Sequence, residues 1–287
     1  MRKTGIGFHE YMRNSTDENG VELLKKYGYS TVHFGFETTT TGYYTEPLED
    51  FIPRMERMRA FMNERGIEFF QTHGPWDAPL RHSTKEDQDK LVEDHRRAII
   101  GTRYLGAKYL VTHPLLPFDI YDGPDGYEGY KKVIIPFLER LLPIAEEHDV
   151  IICLENLPFK DLTVSRPEKV LEVVKEINSP YLKVCLDTGH SIALGINPAD
   201  AVRMIGKEYL KTLHVHDSCK GNDYHWMPFA QGGEIDWTDF TKALDEIGYE
   251  EVVMLETGVW VKNIPGEARP HLSAALGAIT QRIAGNI

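Results

Sequence analysis

Eight short apolar runs, each followed by a segment of helical periodicity, recur along the 287-residue chain, and this rhythm constrains the fold more than any single motif. They are "TGIGF" from Thr4, "YSTVHFGF" from Tyr29, "GIEFFQTH" from Gly66, "AKYLVTH" from Ala107, "DVIICLEN" from Asp149, "YLKVCLD" from Tyr181, "LKTLHVHD" from Leu210 and "EVVMLET" from Glu251. Several are apolar nearly throughout, as strands are when both faces of a parallel sheet are covered. The segments between them carry helix punctuation. "SRPEKVLEVVKEI" offers Ser165 as an N-cap with Glu168 at the capping-box spacing. "NPADAVRMIG" offers Asn197 as cap, Pro198 at the first helical position and Gly206 after the end. "STKEDQDKLVEDHRRAIIGTRYLG" has an acidic start and stops at a glycine.

Strand and helix thus alternate eight times with no low-complexity linker or composition break, which predicts a single-domain (β/α)8 TIM barrel, an α/β fold, over residues 1–287. An open doubly wound sheet would need a phosphate-cradling glycine loop after the first strand, and "GFHEYMRN" does not supply one. The chain's 41% hydrophobic content is enough for one large core. Its 32 Lys and Arg against 44 Asp and Glu give a net charge of −12, which disfavours loose attraction to nucleic acid or anionic membranes. Cys153, Cys185 and Cys219 are odd in number and lack CxxC spacing, so neither a disulfide framework nor a thiolate zinc site is expected. No signal peptide or membrane span is legible, and a reducing cytoplasm is the expected compartment.

Barrel enzymes place their reactive groups at the C-terminal ends of strands, so what each run ends with is the informative question. Runs three to eight end in His73, His113, Glu155, Asp187, His216 and Glu256, about 30 to 40 residues apart as βα units require. His190, Asp223 and His225 bring the candidate ligands around one mouth to nine. Carboxylates and imidazoles gathered in an apolar mouth repel and lose hydration unless a cation neutralises them. A mixed oxygen and nitrogen donor set without thiolate suits Mn2+, Co2+, Fe2+ or Zn2+. Each residue also has an ordinary structural role: a lone strand-end histidine is commonly a hydrogen-bonded core residue, and Asp187 can cap the helix that follows it. Capping and metal binding are compatible only if different carboxylate oxygens serve them. Of His214 and His216 in "LHVHD", the reading gives the interior to one only, His216. Arg81 and Lys220 read as solvated surface charges, and neither they nor Lys262 can be assigned to a phosphate.

The ordered set "CLEN", "CLDTGH", "LHVHDS", "DYHWMPFAQGGEIDW" and "MLET", spanning "QTHGPW" to "LETGVW", resembles the sugar phosphate isomerase/epimerase family of xylose isomerase-like TIM barrels, whose superfamily includes endonuclease IV. The resemblance implies a divalent metal (Mn2+, Zn2+, Co2+ or Mg2+) held by Glu155, Asp187, His216 and Glu256. It implies further that Glu155 and Glu256 exchange a carbon-bound proton through a cis-enediolate, and that His190, Trp76 and His113 contact a small-molecule sugar, phosphorylated or not. In the endonuclease branch additional zinc ligands match His73, His113, His190, Asp223 and His225, so an abasic-site phosphodiesterase is the alternative. "DTGHSIALGIN" and "VHDS" depart from the endonuclease forms, and "FAQGGEIDW" resembles the isomerase stretch with Gln231 in place of a usual glutamate. A sugar is therefore the expected partner, nucleic acid and membrane are not, and a homo-oligomer is left open.

Overall fold

The computed structural model describes residues 1–36, 41–76, 84–114, 126–257 and 264–287. Arg81 and Lys262 lie outside these residues. The strands are β1 (Thr4–Gly7), β2 (Thr31–Gly35), β3 (Glu68–His73), β4 (Tyr109–Thr112), β5 (Ile151–Glu155), β6 (Leu182–Asp187), β7 (Leu210–His214) and β8 (Val253–Leu255). Each falls within one of the eight apolar runs. They form one sheet in the order β7-β6-β5-β4-β3-β2-β1-β8, every adjacent pair parallel. A single parallel bridge, Val215 to Leu255, brings the two end strands together and turns the sheet into a barrel.

The described helices are α1 (Glu18–Lys26), α2 (Leu48–Glu64), α3 (Lys85–Leu105), α4 (Gly126–Glu147), α5 (Pro167–Ile177), α6 (Thr188–Ala193), α7 (Pro198–Tyr209), α8 (Trp237–Glu246) and α9 (Arg269–Ile283). Two helix ends differ from the sequence reading. Ser165 does not cap α5: Pro167, with its φ preset and no N–H to satisfy, takes the first helical position, which makes Arg166 the N-cap residue. Gly206 does not follow α7 but interrupts it with non-helical φ/ψ of 71° and 166°, a conformation open to glycine. Asn197 does cap α7, accepting the Ala199 N–H at 2.9 Å. Helix α3 opens with a full capping box between Thr84 and Asp87.

Alternation along the strands sorts side chains into two environments. Leu110, Ile152, Leu154, Val184 and Leu186 join the large apolar cluster shared with the helices, while Tyr109, Val111, Cys153 and Cys185 form a second, smaller one inside the barrel. Glu155 and Asp187 stand two residues beyond Cys153 and Cys185, on the same inner face at the top of their strands. Burial holds both thiols protonated, raising Cys153 to about 12 and Cys185 well above the ordinary value, so this floor of the site offers no thiolate.

Candidate metal centre

His73, Glu155 and Asp187 close strands β3, β5 and β6, and His113 and Glu256 each follow a strand by one residue. The seventh strand ends at His214, not at His216. Both histidines are buried and both reach the mouth, because residues two apart on an extended chain share a face. The expectation that only His216 faces inward is thereby corrected.

Three adjacent groups of nitrogen and oxygen ligand atoms result, each gathered within 4.8 Å: His73, His113 and Glu155; Glu155, Asp187, His214 and Glu256; and His190, His216, Asp223 and His225; a fourth sets the buried Cys185 thiol beside Glu155 and His214. Glu155, only 1% exposed, joins the first two. Its Oε2 lies 3.3 Å from His73 Nε2 and 3.4 Å from His113 Nε2, and its Oε1 lies 2.9 Å from His214 Nδ1. His214 Nδ1 is also 3.2 Å from Glu256 Oε2 and 4.0 Å from Asp187 Oδ2. The set named from the sequence, Glu155, Asp187, His216 and Glu256, is redrawn by this geometry: His214 sits among the three carboxylates, and His216 stands with the third group.

Asp187 divides its work between its oxygens. Oδ1 accepts the His190 N–H at 2.6 Å and caps α6, leaving Oδ2 for the imidazoles, 2.9 Å from His216 Nε2. Asn156 fixes this turn, accepting the Asp187 N–H at 2.8 Å and donating to the Asp187 carbonyl at 3.1 Å and to Ser191 Oγ at 3.2 Å. Neither Asn156 nor the buried His33, whose ring centroid is 5.1 Å from that of His214, was singled out in the sequence. Asn156 follows directly on the strand-end Glu155 in "CLEN", and that adjacency was the available signal.

Three of these histidines share one arrangement. Nδ1 of His73 donates to the Gly74 carbonyl at 2.8 Å, that of His190 to the Asn156 carbonyl at 2.8 Å, and that of His225 to the Glu256 carbonyl at 3.1 Å. Such outer bonds fix the tautomer and turn Nε2 toward the ligand position. His190 Nε2 and His225 Nε2 accordingly point at Asp223 Oδ2, at 3.2 Å and 3.3 Å. His214 Nε2 is buried without a hydrogen-bond partner among the described residues, and Glu256 Oε2 makes no well-directed hydrogen bond despite its nearness to His214. The donor set of nitrogens and oxygens, with Glu256 Oε2 unsatisfied beside His214 Nδ1, fits a divalent cation.

The electrostatics agree. Burial pushes Glu155 up, but the His214 imidazole and hydrogen bonds from His113, His214 and His73 outweigh it and hold the carboxyl well below its usual range. Burial depresses His214, yet Glu155 and Glu256 raise it to about 9; by the same opposition His190 is raised well above its ordinary value, with Asp187 the leading anion. Asp223 chiefly holds His225 up at about 10 against its burial. Cations are demanded here, and protons on histidine or a metal ion can supply them. Trp76 stands at the rim, 58% exposed, its ring centroid 6.2 Å from that of His113. Cys219 is half-buried and unbonded to either other cysteine, and Lys220 lies on the segment after β7.

The family model described as "Xylose isomerase-like TIM barrel" matches residues 21–274. A protein named "Probable endonuclease 4" from Shouchella clausii is 31% identical over 184 residues, covering 60% of this chain and 59% of that relative's own length. Among solved structures, a D-tagatose 3-epimerase-like protein superposes with a TM-score of 0.76 at 24% identity, covering 99% of this chain and 98% of its own. The IolI protein with a bound zinc atom superposes with a TM-score of 0.69 at 20% identity, covering 98% and 96%. At these identities the structural likeness speaks for the fold. Among the described residues, no helix is long and apolar enough to cross a membrane.

Proposed function

Because the chain belongs to the xylose isomerase-like TIM barrel family, we propose that it is a divalent-metal-dependent isomerase or epimerase of a small sugar or sugar phosphate. The observation that carries this reading is the convergence of Glu155 and Glu256 on one atom, His214 Nδ1, at 2.9 Å and 3.2 Å. Two carboxylates opening onto one space are what a proton transfer on and off a carbon requires: one accepts the proton beside the carbonyl and the other returns one to the opposite face or the neighbouring atom. Glu155 is enclosed, whereas the Glu256 side chain is 36% exposed, so Glu256 is the one able to trade its proton with solvent. A divalent cation bound here supplies Lewis acidity toward the carbonyl and adjacent hydroxyl oxygens. Glu155, Asp187, His214 and Glu256 are the residues that would hold it. His190 and His113 serve as hydrogen-bond donors to sugar oxygens, and Trp76 gives the rim an aromatic face. The D-tagatose 3-epimerase-like neighbour accords with this chemistry.

A second reading, cleavage of phosphodiesters at abasic sites, is favoured by the adjacency of three ligand groups and by the name of the curated relative. One experiment separates them. Protein reconstituted with Mn2+, Co2+ or Zn2+ is incubated in D2O with a panel of free and phosphorylated ketoses, and in parallel with an abasic-site duplex. The isomerase reading expects deuterium at the carbon beside the carbonyl of at least one ketose. Nicking of the duplex with no exchange in any sugar transfers the assignment to the second reading.

A further inference from the structure

Between β1, β2, β7 and β8 the mouth holds a cavity of about 40 Å3 that the proton transfer leaves without a task. Gly7 and Met254 give it an apolar wall, and Glu10, His33, His214 and Glu256 give it a polar one. His214 is 1% exposed, and with Nδ1 turned to Glu155 and Glu256 its Nε2 is buried with no hydrogen-bond partner among the described residues. A buried ring nitrogen is costly in that state unless a polar group enters beside it. His33 is fixed as well: Gln71 Nε2 donates to its Nδ1 at 3.1 Å, burial keeps the ring neutral, and its one ring hydrogen is therefore on Nε2. Gly7 has a φ of −55° and a ψ of 132°, which any residue adopts, and a Cβ there meets only the Glu10 side chain, with Cγ at 3.4 Å. The backbone does not demand this glycine, and the absent side chain keeps the cavity open.

We propose that this cavity receives a terminal hydroxymethyl group of the substrate, and that the ketose is therefore unphosphorylated at the end held there. The proposal rests on the isomerase reading and narrows it, since that reading admits free and phosphorylated sugars alike. The space exceeds the roughly 10 to 15 Å3 that a single water needs, and a carbon with its hydroxyl suits it. A hydroxyl donates and accepts through one oxygen, so it satisfies His214 Nε2 in either protonation state of that nitrogen. When the nitrogen donates, the Glu10 carboxylate is there to accept the hydroxyl hydrogen. Met254 packs against the methylene, and it reaches the wall because residue 5 is glycine: a Cβ there would overlap the methionine side chain. Two carboxylates and no lysine or arginine line the cavity, an arrangement that repels a phosphate. Glu256 belongs both to this lining and to the proton-transfer pair, so the group held in the cavity is continuous with the reacting carbons.

The test uses the full chain loaded with metal and three ketohexoses, D-fructose, D-tagatose and L-sorbose, each with its 1-deoxy, 6-deoxy, 1-phosphate and 6-phosphate forms. Deuterium exchange and the rise in melting temperature given by each sugar are both read. At one end of the sugar the deoxy and phosphate forms are each expected to lose at least about 100-fold in kcat/KM, since a site that hydrogen-bonds a hydroxyl discriminates strongly against analogues lacking it. The end that shows both losses is the one the cavity holds. Gly7→Ala adds a methyl group to the wall and is expected to cut the preference for hydroxymethyl over deoxy by about 10-fold. Glu10→Gln removes the repelling charge and is expected to raise use of the phosphate at that end relative to the free sugar, a change that a merely structural glutamate would not produce. Equal use of the free, deoxy and phosphorylated forms, or unaltered preferences in both variants, overturns the proposal and leaves the isomerase reading standing. Exchange in none of the sugars counts against the isomerase reading instead. In that case a Gly7-dependent stabilisation by the ketohexose over its deoxy form still upholds the hydroxymethyl site, and melting that does not distinguish them overturns it.

Discussion

Asp187 shows at the scale of one residue how structure and chemistry share a side chain. The cap uses Oδ1 and the cluster uses Oδ2, so the two roles separate by mutation. Asparagine caps as well as aspartate but carries no charge. With metal removed from both, Asp187→Asn is expected to melt close to wild type, while on titration it loses most of its metal affinity; metal-free Asp187→Ala is expected to lose the cap as well, at about 1 kcal/mol. Thermal melts and metal titration of the two variants check this; equal metal affinity in wild type and Asp187→Asn would contradict it. Gly189→Ala forces a methyl group into the His216 ring, and such overpacking costs about 1 to 3 kcal/mol, measurable as a lowered denaturant midpoint. The strand-end donors were legible because a barrel puts its reactive groups in one known place. The choice between His214 and His216 was not settled by motif, since it depends on where strand β7 stops and on two-residue periodicity. Asn156 is hard to read from sequence because a buried amide that orders a turn carries no motif beyond its neighbour.

The elements themselves were readable because short runs apolar on both faces have few other fates than parallel strands. Helix ends were less so. At α5 the serine and the proline make competing claims two residues apart, and the proline's fixed φ prevails. Helix α3 supplies a pH-dependent device. His95, buried on it, donates from Nδ1 to the Leu91 carbonyl at 2.9 Å and receives Thr112 Oγ1 at Nε2 at 2.7 Å, tying α3 to β4. Burial lowers its pKa from 6.5 to about 4. Between those values the unfolded chain binds a proton that the folded chain does not, so this contribution is complete above pH about 6.5 and is lost as pH falls toward about 4. Urea midpoints measured across that window are expected to fall with pH in wild type and to fall less steeply in His95→Gln. Parallel slopes would show that His95 does not couple folding to protons.

For the whole molecule, the alternation of eight strands and helices was enough to specify the barrel, and the barrel in turn gathered residues more than 180 positions apart, His73 and Glu256, at one mouth. Four carboxylates, those of Glu155, Asp187, Asp223 and Glu256, meet there in a chain already carrying a net charge of −12. Chelation is therefore expected to lower the melting temperature and re-addition of a divalent ion to restore it. An ion held at 1,000 times its dissociation constant stabilises by about 4 kcal/mol. A melting curve indifferent to chelator would speak against a resident metal. The central claim is that Glu155 and Glu256 move a carbon-bound proton, and solvent deuterium incorporation into a sugar substrate tests it most directly. With metal content matched, the account predicts that Glu155→Gln slows incorporation by at least about 100-fold, the lower end of what a positioned acid or base contributes, in a protein that remains folded. Incorporation at the wild-type rate in Glu155→Gln would contradict it.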